Sequence, residues 1–268
     1  MSILYHPSVK DRLEAIAQDL PQSILLTGET GIGLATIARY LATEKESFTV
    51  SPELLTKTST IPQIGVETIR GLYEAARTKA AATRVIIIDD ADMMTHAAQN
   101  SFLKLLEEPN QHTRFILTSH HPERLLPTVR SRSQTLYLPR LSPKQSEKLI
   151  DSFGSLAPRE KVQIKFVAEG LPAEISRLVA DTDYFSSMVL ETTLAKKLIE
   201  STKQEVLPLI FSMNTQRDAA LRVIERMIYL LNIAPSVQGV SRIQRLLNAY
   251  DDIRNGGNIR LQLTAAMV

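Results

Sequence analysis

The chain has no cysteine. That excludes disulfides, a thiol nucleophile and any cysteine-ligated zinc or iron–sulfur site. It also fits a reducing compartment, so a cytoplasmic location is expected. Tryptophan is absent too, and aromatics make up only 5% of the 268 residues. Stacking platforms for single-stranded nucleic acid are therefore not the main device. No run of about 18 apolar residues occurs, which predicts no membrane span. Residues 1–20 reach a charge at Lys10 and lack an apolar stretch ending in a small-residue cleavage site, so no signal peptide is expected. Neither sign of charge dominates. The net charge is +2; residues 1–139 hold 14 Lys and Arg against 15 Asp and Glu, and residues 140–268 hold 17 against 14. Neither half has the basic excess of a dedicated duplex-DNA binder.

Apolar residues make up 44% and charged residues 22%, an ordinary globular balance. The length exceeds the usual domain of about 100–150 residues and predicts two or three domains. Residues 1–139 alternate between strand and helix patterns. Ser23–Thr27 is a short apolar run ending at Gly28, and Leu34–Thr43 follows as a helix. Thr68–Ala81 and Ala97–Glu107 also read as helices, the second closed by Pro109. Val85–Ile88, a β-branched run closed by Asp89, suits a central strand covered on both faces. Phe115–Thr118 and Thr135–Leu138 read as further strands. This alternation predicts an α/β fold with a parallel sheet and helices on both faces.

The pattern changes at Pro139-Arg140-Leu141-Ser142-Pro143, after which no strand signal follows. Ser142 is suited to cap a helix running to Phe153, with Pro143 at its first position. Helices from Pro158 to Glu169 and after Pro172 complete a small helical unit. Beyond residue 183, Leu190, Leu194 and Leu198 form one apolar stripe. Val223, Ile224, Met227, Leu230 and Leu231 form a second, and Val240, Ile243, Leu246 and Leu247 a third. The expected domains are 1–139, 140–183 and 184–268.

Residues 28–35 read Gly28-Glu29-Thr30-Gly31-Ile32-Gly33-Leu34-Ala35. Strand, glycine spacing and helix match the phosphate loop G-x-x-x-x-G-K-[ST], whose backbone amides cradle phosphates. Its two chemically active side chains are missing. Leu34 stands where lysine reaches the phosphates, and Ala35 where a hydroxyl binds magnesium. A charge-assisted contact contributes about 1.5–3 kcal/mol, so the missing lysine alone weakens binding by one to two decades. About 55 residues later, Asp89 and Asp90 close the apolar strand. In such folds an acid there holds the metal's water, and a glutamate beside it orients the attacking water. Asp90 is one methylene shorter than that glutamate. Alone, acids after a strand are equally well helix caps; the preceding Gly loop makes the pair specific.

Three segments then carry a family signature: Asn100 to Pro109, Phe115 to Ser119, and Leu126-Pro127-Thr128-Val129-Arg130-Ser131-Arg132-Ser133-Gln134. They resemble the clamp-loader ATPases of the AAA+ superfamily, the third matching that family's Ser-Arg-Cys motif with Ser133 in place of Cys. Ile64–Arg70 resembles the segment before the acidic strand. The resemblance covers about residues 20–180. It implies an AAA+ sheet domain, a small helical lid and a C-terminal all-helical collar. Motor members keep the lysine and threonine lost here, and an arginine after a Gly in the lid, where Gly170-Leu171-Pro172-Ala173-Glu174 has Ala173. The pattern of losses is similar to the non-hydrolysing delta-prime type of subunit. That similarity implies partners: gamma- or tau-type motors that bind the ATP, the delta subunit, the sliding clamp and primer–template DNA. Many family members carry a four-cysteine zinc module that this chain lacks, so no zinc is expected.

The resemblance also singles out Arg132 as an arginine finger acting on a neighbour's ATP. A planar, permanently charged guanidinium supplied in trans raises phosphoryl-transfer rates by roughly 10³–10⁵. The bland alternative is a surface arginine paired with an acid. Arg130, two positions away, points elsewhere if the stretch is extended. Ser119 stands at the family's sensor position, with a structural role if no nucleotide binds. Adjacent histidines rarely share one metal, so His120-His121 is not read as a metal site. Two alternatives stay open: a divergent active motor, and a scaffold that works without Arg132.

Overall fold

The computed structural model describes residues 5–43, 45–56, 61–77, 83–108, 112–154, 156–213, 216–233 and 237–268. Pro109, the last residues of the predicted Thr68–Ala81 helix and the first four of the chain lie outside them. The chain divides into two compact units, Met1–Arg177 and Leu178–Val268.

The first unit is built on five parallel strands: β1 Ser23–Thr27, β2 Glu46–Val50, β3 Arg84–Ile88, β4 Thr113–Ser119 and β5 Gln134–Tyr137. Their order is β2-β3-β4-β1-β5. Parallel strands need crossovers, and helices supply them. Helix α1 Lys10–Gln18 precedes the sheet, and the crossovers are α2 Leu34–Leu41, α3 Val66–Arg77, α4 His96–Glu107 and the short α5 Pro127–Ser131. The central strands are buried along most of their length, which explains the apolar runs Ile24–Leu26 and Val85–Ile88. Their side chains alternate between two cores. Ile24, Leu26, Val85, Ile87 and Ile116 meet Leu13 of α1 and Ile37 and Leu41 of α2. Leu25, Ile86, Ile88, Phe115 and Leu117 meet Ile69 of α3 and Phe102 and Leu105 of α4. Phe102 and Phe115 pack edge to face, 5.2 Å between ring centres.

Strand β2 is the exception. It pairs only with β3 and is largely exposed, so its Glu-Ser-Phe-Thr-Val sequence carries no apolar run. Three helices follow the sheet: α6 Pro143–Ser152, α7 Pro158–Ala168 and α8 Pro172–Ala180. Ser142 caps α6 as predicted, exchanging a capping box with Gln145.

The second unit contains α9 Thr182–Glu200, α10 Lys203–Ser212, α11 Arg217–Ile233, α12 Val237–Arg254 and α13 Ile259–Met267. Its core gathers Leu198, Ile210, Val223, Ile224, Met227, Leu246 and Leu263. The predicted stripes are only partly core. Leu190 is 70% exposed and Val240 66%. Helix α10 contains Pro208, which lacks the donor for an interior helix bond. Among the described residues, no helix is long and apolar enough to cross a membrane.

Candidate functional site

The carboxyl ends of β1, β3 and β4 lie side by side, where open parallel sheets place their ligand crevice. Thr27 pairs with Ser119 in the β1–β4 register, and Ile88 with Leu117 in the β3–β4 register. Gly28, Asp89 and Thr118–Ser119 are thereby brought together. The loop leaving β1 needs its glycines. Gly31 and Gly33 have φ of 88° and 90°, a left-handed region open to glycine at little strain. Gly33 caps α2, and the next residue is Leu34, buried in the core. Leu34 therefore turns away from the space a phosphate-binding lysine would reach.

The acids close the other side. Asp89 Oδ1 accepts the Thr118 hydroxyl at 2.7 Å, and the Asp90 N–H donates to Thr118 Oγ1 at 2.9 Å. Asp90 sits at φ 48°, a conformation that suits an Asx residue. Burial and the neighbouring Asp89 push its carboxyl above the usual range, with His120 partly opposing them. Ser119 is fully buried and donates to Asp92 Oδ1 at 2.7 Å. His120 spans the gap, its Nδ1 donating to the Gly28 carbonyl at 2.8 Å and its Nε2 lying 3.8 Å from Asp90 Oδ1. Thus Thr118 and His120, rather than Ser119, face the acids and the loop. The sequence pattern did not single out Thr118, and His120 stood out only as half of a histidine pair. The residue just past a strand's carboxyl end is the signal that finds it.

The helical segment after the sheet seals the third side. The Ala173 N–H donates to the Gly31 carbonyl at 2.9 Å, and Leu171 packs into the core around Gly31. Arg140 reaches the loop with a forked grip on Glu29, Nε to Oε1 at 2.8 Å and Nη2 to Oε2. Its Nη1 also holds Glu169 Oε2 at 2.9 Å. The hydrogen bonds from Arg140 hold the Glu29 carboxyl below its usual range. Glu169 ends α7 at φ 54°, a left-handed position that favours glycine, and its side chain is 9% exposed. The cavity beside the loop, lined by Tyr5, His6, Ile32, Ile37, Leu138 and Pro172, holds only about 10 Å³. That is room for about one water, against about 300–1,000 Å³ for an ordinary ligand pocket.

Arg132 lies elsewhere on the same unit, at the C-cap of α5. The stretch around it is helical, not extended; Arg130 still points away, because residues two apart on a helix do not face each other. The turn is fixed from behind. Ser133 is buried, pairs with Ser23 Oγ at 2.9 Å and donates to the Val129 carbonyl at 3.1 Å. Gln99 of α4 is buried; its amide donates to the carbonyls of Met94 and Arg124, and its Oε1 accepts from the Leu126 N–H at 2.7 Å. Arg132 itself points outward, 38% exposed, with Nη2 on Glu107 Oε1 at 2.9 Å and Nη1 on the Thr128 carbonyl at 3.2 Å.

Residues 46–142 match the family described as DNA polymerase III, delta subunit. DNA polymerase III subunit delta' of Escherichia coli is 38% identical over 98 residues, covering 36% of this chain and 28% of that protein. The replication factor C small subunit of Methanococcus maripaludis is 24% identical over 214 residues, 75% of this chain and 67% of that protein. Over these stretches the chain is similar in sequence to clamp-loader subunits. A solved structure from Thermotoga maritima, titled a DNA polymerase III, gamma subunit-related protein, shares the fold at a TM-score of 0.56, with 19% identity and 97% of each chain covered. The family match takes in Asp89, Asp90, Ser119 and Arg132, whereas the Gly loop lies before it. The chain spans about a quarter of the length of the bacterial relative, so that relative's whole activity does not transfer by similarity.

Proposed function

We propose that this chain is a non-hydrolysing, delta-prime-type clamp-loader subunit that completes a neighbour's ATP site with Arg132. One observation carries the reading. Leu34 is buried in the core where the phosphate-binding lysine would stand, and the loop around it is pinned by His120 on the Gly28 carbonyl, Ala173 on the Gly31 carbonyl and Arg140 on Glu29. The residues present do not fit magnesium-bound ATP. Leu34 is buried and cationless, Ala35 has no hydroxyl, and the flanking cavity takes about one water. Arg132 is the converse, exposed and anchored on a turn fixed by two buried polar contacts.

In this role the chain joins gamma- or tau-type motors and delta, and the assembly loads the sliding clamp on primer–template DNA. ATP is held by the motors, and no zinc is required. Residues 140–183 act as the lid and 184–268 as the collar that packs with sister subunits. The exposed Leu190, Phe211, Val240 and Leu261 supply apolar surface for that packing.

Two measurements test the reading. The chain alone is expected to give no micromolar binding of a fluorescent ATP analogue; such binding would make it a divergent motor. In a complex rebuilt with motors, delta, clamp and primed DNA, the chain should stimulate ATP turnover and Arg132→Ala should abolish most of that gain without loss of assembly. Equal stimulation by both forms would make the chain a scaffold.

A further inference from the structure

We infer that Glu107 is a positioning residue, which presets the Arg132 guanidinium for the phosphate of a neighbouring subunit. The inference rests on the finger role proposed above. A guanidinium has five N–H donors in a fixed planar fork. Arg132 uses one on Nη2 for Glu107 Oε1 and one on Nη1 for the Thr128 carbonyl. Three N–H groups, including Nε–H, are left over from these two contacts. The planar group is thus held by two points on its own subunit while keeping donors for an incoming oxyanion.

The two anchors belong to elements that are themselves fixed. Thr128 lies in α5, which Ser133 and Gln99 tie to the sheet and to α4. Glu107 is the last residue of that same α4, whose Phe102 and Leu105 are core. The arginine is therefore referenced to the sheet through both ends of its fork. A lock can be distinguished from a guide by strength. Glu107 is 49% exposed and Arg132 38%, so the pair is a solvated one of small net worth. It cannot compete with a magnesium triphosphate for the guanidinium. It can remove the rotamer disorder that a long side chain otherwise loses on binding, an effect of roughly two- to tenfold.

The experiment uses the rebuilt complex with five versions of this chain: parent, Glu107→Gln, Glu107→Asp, Arg132→Ala and the Glu107→Gln/Arg132→Ala double variant. Glu107→Gln keeps the side chain's shape and is expected to lower stimulated kcat about two- to tenfold, with KM for ATP unchanged and assembly intact. Glu107→Asp, which keeps the charge on a shorter stem, should recover part of the loss. The gap between parent and Glu107→Gln should narrow as salt rises, because the pair is solvated. In the Arg132→Ala background, Glu107→Gln should change nothing further, since Glu107 acts only through Arg132. Full activity of Glu107→Gln beside a crippled Arg132→Ala would overturn this inference and leave the finger standing. So would a gain in rate or an additive loss in the double variant. Full activity of Arg132→Ala would remove the finger itself, and the inference with it.

Discussion

The Gly loop and the Arg132 turn sit on one sheet and have opposite designs. The loop's Gly28 and Gly31 carbonyls and the Glu29 carboxylate are met by the chain's own side chains and amides. The turn is satisfied from behind and presents its cation outward. The difference teaches where the proposed loss of nucleotide binding would leave its mark. Leu34 is visible as one residue, but the contacts that hold the loop are spread over Gly28, His120, Arg140, Glu169 and Ala173. The arginine needs no such contacts, because its partner is expected to come from outside the chain.

The contrast can be broken or sharpened by substitution. The largest effect is expected on the open side: Arg132→Ala should lower turnover at the neighbouring ATP site by about 10³, read by single-turnover hydrolysis in the rebuilt complex. On the closed side, Gly170→Ala should strip stability. Gly170 has φ 82°, and a Cβ there would lie 2.7 Å from the Leu141 carbonyl oxygen. The backbone strain alone is about 1–3 kcal/mol, so the melting temperature of the first unit should fall by several degrees.

Smaller effects are pH-dependent. Glu29 is depressed by Arg140, so its contribution is present above the ordinary carboxylate value and is lost as pH falls through the lowered one. Both side chains are more than a third exposed, which limits the pair to about 0–1 kcal/mol. Glu29→Gln should therefore cost little at pH 7 and flatten the acid limb of a melting-temperature curve below about pH 4. Asp90 has the opposite sign. Its raised carboxyl makes the ionised form the less stable one, so stability falls as pH rises through the raised value. Asp90→Asn tolerates the same left-handed backbone and should raise the melting temperature slightly at pH 7, with the gain vanishing in acid. A loss at neutral pH would mean that the His120 contact outweighs burial.

Much of the fold was legible because the central strands obey one strong rule. A strand covered on both faces carries a near-continuous apolar run, and Val85–Ile88 and Ile24–Leu26 follow it. Strand β2 was not legible, since an exposed edge strand has no such run. Helices α1 and α5 carry no such pattern either, and α10 was legible only within the all-helical reading of the C-terminal region, because Pro208 breaks its own pattern. At the site, Gly28, Asp89 and Asp90 are marked by spacing and Arg132 by the family resemblance, and the structure brings the first three together. The Ala173–Gly31 and Arg140–Glu29 contacts join residues more than a hundred positions apart, and no local pattern encodes such pairs.

The cavity of about 10 Å³ beside the loop has a thermodynamic consequence. A protein that binds a ligand only when folded gains stability as RT ln(1 + [L]/Kd), so its melting point tracks the supply of that ligand. On the proposed reading, a chain that takes no nucleotide has no such term, and its melting curve is expected to superimpose with and without millimolar nucleotide. Its folded fraction would then be independent of the supply of ATP, the one respect in which a subunit of this kind stands apart from any that binds it.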